Sequence, residues 1–407
     1  MSTPHRPPKI ACLATDPITV RFLMAGQLRF LQQQGFDVTL IASPGADLEL
    51  AAHREGVRMI SVPMSREITP FADWRSLRQL TRVLKDLRPD IVNAGTPKAG
   101  LLGMLAATWA RIPIRIYTLR GLRLETAIGF KRILLSTTER IAAGCAHKVI
   151  CVSPSLREAF IQHRLGRSQK TVVLGGGSSN GVDTDRFNPT PARQAEALAL
   201  RLSLGISGDA KVIGFVGRLT RDKGVAELLE VFATLKQEFS NLHLLLVGGF
   251  EEGDPLSSSL RDEIRTNPRI HITGFINEIA AYYSVLDLLI FPSHREGLPN
   301  APLEAAASGV PTAGFAATGT IDAVLSGQTG TLVPVGDVQG LTEAARRYLQ
   351  NPELLAQHGN QAQQRVQTDF RREVIWQKLA DLYISELRSR GLPLPDVATN
   401  STELAAA

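Results

Sequence analysis

Short apolar runs alternate with longer amphipathic stretches over most of the chain, and this alternation predicts its architecture. In the first half the runs Lys9–Ala14, Asp37–Ala42, Val57–Val62, Ile91–Ala94, Ile114–Leu119, Val149–Val152 and Thr171–Leu174 read as strands. Between them, apolar residues return with helical spacing over Arg21–Gln34, Asp73–Leu87, Ala99–Ala110, Lys131–Ala143 and Ser155–Arg164. The second half repeats the theme. Strands are predicted at Val212–Val216, Leu242–Val247, Ile270–Ile272, Leu286–Phe291 and Pro311–Gly314, with helices at Gly224–Phe239, Ser257–Asn267, Glu278–Val285 and Pro302–Ser308. Strands separated by helices imply βαβ units and parallel, doubly wound sheets, an α/β architecture.

At 407 residues the chain exceeds one ordinary core, so two such domains are expected. The glycine-rich stretch from Gly175 to Gly181 reads as the seam. Residues 1–185 form the first expected domain and 186–368 the second. A polar helix near Pro191–Leu202 opens the second domain. A closing helix, Asp369–Arg388, carries Phe370, Trp376, Leu379 and Tyr383 and is expected within 369–390. Residues 391–407 are poor in core-forming side chains and read as a fraying tail.

Composition narrows the class. Hydrophobic residues make up 44% and charged residues 21%, values of a soluble globular protein, and no apolar run is long enough to span a bilayer. The N-terminus lacks the apolar core of a signal peptide, and a cytoplasmic location is expected. Cys12, Cys145 and Cys151 lie in or beside apolar segments without metal-ligand spacing, so buried reduced thiols are expected. The net charge of +6 points to an anionic partner. Nucleic acid is disfavoured, because no basic face is interleaved with aromatics and no zinc-finger pattern occurs. Instead, seven Lys/Arg residues fall between Arg111 and Arg140 against Glu125 and Glu139, among Ile128, Phe130, Ile133, Leu134 and Leu135. This mixture fits either an anionic membrane surface or a solvated helix face over a core stripe.

The densest chemistry lies in His294-Arg-Glu-Gly-Leu-Pro-Asn-Ala-Pro-Leu-Glu304. A buried strand leads in, and Pro302 is expected to open a short helix that Gly309 stops. Glu296 then stands on the loop and Glu304 in the first helical turn, beside free N–H groups suited to a phosphate. Such a pair suits a ligand rich in hydroxyls and phosphate, as a sugar nucleotide is. Without a ligand, Glu304 is favourable at a helix start, and Glu296 would pair with Arg295 or His294. Upstream, Gly217-Arg218 and Lys223-Gly224 follow a strand and supply cations able to hold a diphosphate. Strand ends at Gly248–Gly249 and at Gly274-Phe275 are positioned to offer backbone to a base edge.

The order Gly-Arg…Lys-Gly, Gly-Phe, then Glu-Gly-Leu-Pro-Asn…Leu-Glu-Ala resembles glycosyltransferase family 4, retaining enzymes of the GT-B fold. The Asn180-Gly-Val-Asp183…Phe187-Asn-Pro189 seam resembles that family's interdomain signature. The resemblance covers nearly the whole chain. It implies two Rossmann-like domains facing each other across a cleft, with a nucleotide-sugar donor on the second. By that resemblance Gly217, Arg218 and Lys223 hold the donor diphosphate and Glu296 faces the transferred sugar. Gly297, Leu298, Asn300 and Phe275 line the donor, and Glu304 accepts from the ribose hydroxyls. No metal or other cofactor is expected, since Arg218 and Lys223 supply the charge.

The first half matches the family less closely. Where many members carry a Gly-Gly loop after the first strand, this chain reads Ala14-Thr-Asp16-Pro17. Where many carry a His after the fifth strand, it reads Thr118-Leu-Arg120-Gly121. A guanidinium is no base, so Arg120 is assigned a binding role. The Asn93-Ala-Gly-Thr-Pro-Lys98 segment resembles members that assemble capsule, O-antigen or exopolysaccharide repeats on a polyprenyl diphosphate. Asp16, Lys98, Arg120 and Arg123 are therefore acceptor candidates, and the inner membrane face a peripheral partner. An inactive sugar-nucleotide-binding scaffold and a GT-B epimerase or hydrolase are the rivals. A nicotinamide dehydrogenase is disfavoured, because Ala14–Arg21 lacks a Gly-x-Gly-x-x-Gly turn.

Overall fold

The computed structural model describes residues 6–65, 67, 69–251 and 253–396. The chain forms two compact units. The first comprises residues up to Gly181 together with those from Glu373 onward, and the second is Val182–Arg372.

The first unit holds a seven-stranded parallel sheet: β1 (Lys9–Leu13), β2 (Asp37–Ala42), β3 (Arg58–Ser61), β4 (Ile91–Gly95), β5 (Ile114–Leu119), β6 (Lys148–Cys151) and β7 (Thr171–Val172). Its order is β3-β2-β1-β4-β5-β6-β7, so the winding reverses between β1 and β4. β1 pairs in register with both neighbours, Leu13 opposite Ile41 on one side and Ala94 on the other. Apolar residues on both sheet faces are fully buried, Ile10, Leu40 and Ile116 on one and Ile41 and Val92 on the other, which a parallel sheet covered by helices requires.

The second unit holds β8 (Lys211–Val216), β9 (Leu242–Val247), β10 (Ile270–Ile272), β11 (Leu288–Phe291), β12 (Thr312–Phe315) and β13 (Gly330–Val333). The order is β10-β9-β8-β11-β12-β13, all parallel, with the reversal between β8 and β11. In such sheets ligands bind beyond the carboxyl ends of the strands at the reversal, so each unit has one place to examine.

Several elements differ from the sequence reading. The helix expected over Arg21–Gln34 is two helices, Pro17–Leu23 and Gln27–Gln33. The break at Gly26 has a tertiary cause: Gly26 has φ +80°, and a Cβ there would lie 2.6 Å from the Trp376 ring. Buried Glu55 then accepts from Gly26 N at 2.9 Å and caps the second helix. The helices Ala46–Glu55, Val338–Gln350 and Pro352–Asp369 and the strand β13 were not foreseen. The closing helix runs Arg372–Ser389, not Asp369–Arg388, and Phe370 belongs to the second unit's core. Leu379 and Tyr383 of the closing helix join the first unit's core. Of the tail expected to fray over 391–407, the described part runs to Asp396 and is anchored. Leu392 packs on the core and Pro395 is buried against Gly35, while 397–407 lie outside the described residues. Cys12 and Cys151 are buried and Cys145 is partly exposed; all three are free thiols.

Candidate functional site

In the second unit, the loops after β8 and β11 meet where the sheet reverses. Gly224 makes the meeting close. It starts the helix Val225–Glu238 at φ +72°, and a Cβ there would lie 2.0 Å from Pro292 O. Any side chain at 224 would push the two loops apart.

Held this way, Lys223 Nζ donates to Glu296 Oε1 at 2.5 Å, and Ser293 Oγ donates to the same oxygen at 2.8 Å. Both Lys223 and Glu296 are largely shielded from water. Neighbouring charges are matched the same way. Arg295 pairs with Asp222 at 3.2 Å, His294 Nε2 with Glu227 Oε1 at 2.7 Å, and Arg221 with Asp254 at 2.8 Å. Donating to the Glu227 carboxylate raises His294 above its ordinary pKa and, reciprocally, lowers Glu227. Arg218, 57% exposed, pairs with Glu251. Glu296 thus takes neither Arg295 nor His294 as partner; its cation is Lys223.

The helix after β11 begins at Asn300, two residues earlier than expected, with Pro299 at its cap and Pro302 as its third residue. No side chain caps this end, so the first-turn amides of Asn300 and Ala301 point onward unshared by a cap. Pro302 lacks an N–H and withdraws none from the ladder there. Glu304 is therefore the fifth helical residue, in the second turn and not the first. Its Oε2 accepts from the buried Tyr283 hydroxyl at 2.8 Å, and burial raises its pKa. Tyr283 is itself held edge-on against Phe187. Phe275 follows Gly274 beyond β10 and is 65% exposed, a flat apolar face in solvent. Gly297 and Leu298 lie against the loop after β12, where Gly319 approaches Gly297 O. That third loop, with the buried Thr320, was not singled out from sequence. Neither were Asp222, Glu227, Ser293 and Tyr283, which position the predicted residues; Asp222 and Ser293 follow strands, whereas Glu227 and Tyr283 lie within helices and carried no such hint.

In the first unit the acceptor candidates separate. Asp16 Oδ1 accepts from Ile18 N at 2.9 Å and caps the helix Pro17–Leu23. Lys98 is no free cation: its Nζ lies 2.6 Å from both Asp73 carboxylate oxygens and donates to Glu67 O, with the side chain only 9% exposed. Arg123 is exposed on a short turn, Arg123–Glu125. Arg120 is set apart from all three. It lines a small cavity at the carboxyl ends of β1, β4 and β5, with Asn93, Gly95 and Thr118.

Comparison with known proteins identifies the family. Residues 199–365 match the family model described as glycosyl transferases group 1, and residues 23–177 match the glycosyl transferase 4-like domain. The capsular polysaccharide biosynthesis glycosyltransferase CapM of Staphylococcus aureus is 36% identical over 366 residues, 90% of this chain and 94% of that protein. An Escherichia coli UDP-Gal:α-D-GlcNAc-diphosphoundecaprenol α-1,3-galactosyltransferase is 26% identical over 94% of this chain and 98% of its own length. Among solved structures, Anabaena Alr3699/HepE in complex with UDP-glucose superposes with a TM-score of 0.78 at 22% identity, covering 93% of this chain and 99% of that one. WaaG, a glycosyltransferase involved in lipopolysaccharide biosynthesis, gives 0.71 at 16% identity, covering 92% and 99%. The chain belongs to the group 1, family 4-like glycosyltransferases, with two parallel-sheet α/β units of the GT-B fold.

Proposed function

We propose that this glycosyltransferase moves a sugar, with retention of anomeric configuration, from a nucleotide sugar to a polyprenyl-diphosphate-linked glycan during assembly of a bacterial surface polysaccharide. The observation that carries the reading is the Lys223–Glu296–Ser293 cluster at the reversal of the second sheet, beside an uncapped helix start. Lys223 and Arg218 bind the donor diphosphate and stabilise the charge that develops as it leaves, in place of a metal. Glu296 moves its hydrogen bonds to hydroxyls of the transferred sugar. The amides near Leu298 and Asn300 receive phosphate oxygens, and Gly217 lets backbone approach them. Glu304, oriented by Tyr283, accepts from the ribose, and Phe275 offers a face to the base. The departing phosphate oxygen takes the acceptor's proton on the same face, so no protein base is required.

The acceptor assignment is supported by the relatives, one of which is named for a diphosphoundecaprenol acceptor. It is also supported by the first unit's surface. Ile128, Phe130 and Ile133 are 86%, 78% and 64% exposed and flank Lys131 and Arg132 at the start of the helix Gly129–Cys145. Exposed apolar residues between cations suit an anionic bilayer interface, a peripheral attachment at the inner membrane face. Among the described residues no helix is long and apolar enough to cross a membrane.

Thermal shift with UDP, GDP and ADP tests the donor site, on wild type and Glu304→Gln, since Glu304→Ala would strand the Tyr283 hydroxyl. One nucleotide should raise the melting temperature, and the variant should lose most of that rise. No shift with any nucleotide at millimolar concentration would overturn the donor assignment and favour a scaffold.

A further inference from the structure

In the first unit the Arg120 guanidinium is largely withdrawn from solvent, and two of its three nitrogens are unpartnered among the described residues. Arg120 Nε and Nη1 are both out of solvent and have no hydrogen-bond partner among the described residues. The two edges of a guanidinium each include one of these nitrogens. The titratable groups that face it are the Cys12 thiol and the Tyr383 phenol. Burial pushes Cys12 up to about 12 and Tyr383 well above its ordinary value, so both are neutral at pH 7. Burial also pushes Arg120 down, to about 10, which still leaves it protonated at pH 7. Holding such a charge away from water without a partner is unfavourable, and an anion that pairs with it relieves the cost.

The surroundings are built to hold it. The guanidinium lies over Gly95, where a Cβ would come within 3.0 Å of Nε. Thr118 Oγ1 donates to Asn93 Oδ1 at 2.8 Å, and Asn93 Nδ2 donates to the Tyr383 hydroxyl at 2.7 Å. This fixes one polar wall of the cavity. Ser178, in a strained backbone conformation at φ +109°, lines another. The place is the reversal between β1 and β4, where a sheet of this kind binds its ligand.

Size selects among anions. The cavity offers about 20 Å³, room for roughly one water molecule. A tetrahedral phosphate is bulkier than one water molecule and stays largely outside that space. Of the two oxyanions a sugar substrate can carry, the planar carboxylate presents the smaller tip, and a guanidinium matches it with paired N–H bonds. We infer that Arg120 binds the carboxylate of an acidic sugar, so that a uronic acid is part of the substrate this enzyme recognises. The cavity and its cation stand on the geometry alone; only the attachment of the carboxylate to a sugar rests on the glycosyltransferase reading.

The test is thermal shift of the full chain with glucuronate and galacturonate, against glucose, galactose and inorganic phosphate at matched ionic strength. The uronates raise the melting temperature, the neutral sugars and phosphate do not, and Arg120→Gln weakens uronate binding roughly tenfold or more. Arg120→Lys retains part of the effect. Phosphate acting as strongly as the uronates would overturn the size argument. Neutral sugars acting equally would make this a hydroxyl site, and no shift with any probe would reject a ligand there. The nucleoside diphosphate shift reads the second unit separately, so it survives if only the carboxylate inference fails. A second arm locates the acid, using sugar nucleotides of the base the first panel selects. If it belongs to the donor, the glucuronate conjugate binds wild type roughly tenfold more tightly than the glucose conjugate, and Arg120→Gln abolishes the difference. If it belongs to the acceptor, the two conjugates bind alike, and free uronate still shifts protein saturated with nucleotide.

Discussion

Lys223 and Arg120 occupy corresponding places, each at the reversal of its own parallel sheet, yet their electrostatic states are opposite. Lys223 is matched by Glu296, and the cations around it are matched one for one by Glu251, Asp254, Asp222 and Glu227. Arg120 has no counterion among the described residues. The matched set is stable without ligand and exchanges partners when a ligand brings its own charges. The unmatched one raises the free energy of the empty state and lowers it when an anion enters. A charge that is balanced internally therefore suits a substrate that must leave each turnover. An unbalanced one gives recognition, because neutral analogues leave the penalty in place.

Removing Lys223 is the strongest way to break this comparison. Lys223→Ala leaves Glu296 without its cation and the leaving diphosphate without a charge partner. The expected loss in kcat is about 10²–10³, with the fold intact by circular dichroism. An unchanged kcat would remove Lys223 from the chemistry.

Gly224→Ala asks whether the matched set depends on the close approach of two loops. The added methyl meets Pro292 O at 2.0 Å in a left-handed conformation. A destabilisation of about 2–3 kcal/mol is expected in chemical denaturation, together with weakened nucleotide binding.

The smallest effect sharpens the other side of the comparison. Glu139 is a second group in the first unit without a counterion among the described residues; it accepts from the Tyr117 hydroxyl at 2.8 Å, and burial pushes it up to about 7. Unlike Arg120, it relieves its burial by holding a proton. The folded state therefore binds more protons than the unfolded chain between about pH 4.5 and 7, so stability falls as pH rises through that window. Glu139→Gln should flatten this slope and stabilise the protein by roughly 1–2 kcal/mol at pH 8, measured by denaturation across pH. A slope unchanged by the substitution would assign it to other groups.

Strands were the most legible part of the fold. The runs at Asp37–Ala42, Ile114–Leu119, Leu242–Val247 and Ile270–Ile272 form strands with the predicted bounds, and the first three are mostly buried, as strands of a parallel sheet covered on both faces are. β13, Gly-Thr-Leu-Val, is short and only partly buried, and its pattern could not be told from a loop. The helix Ala46–Glu55 is largely polar, so its apolar signal was weak. In the site, the loops carrying Arg218, Lys223 and Glu296, and the helix carrying Glu304, were visible from their position after strands. Their partners were not. Asp222, Glu227 and Tyr283 are distant in sequence from His294, Glu296 or Glu304, and ordinary Asp, Glu and Tyr residues carry no local mark of what they will face.

By itself the sequence determined two tandem parallel α/β units and the loops that carry charge, since periodicity and the residues after each strand are local properties. Only the tertiary structure decided which charges cancel. Asp73 neutralises Lys98, which read as a free cation, while Arg120 is left unpaired at a sheet reversal. The physical reason is that a charge's energy depends on burial and on the nearest opposite charge in space, and chain order specifies neither.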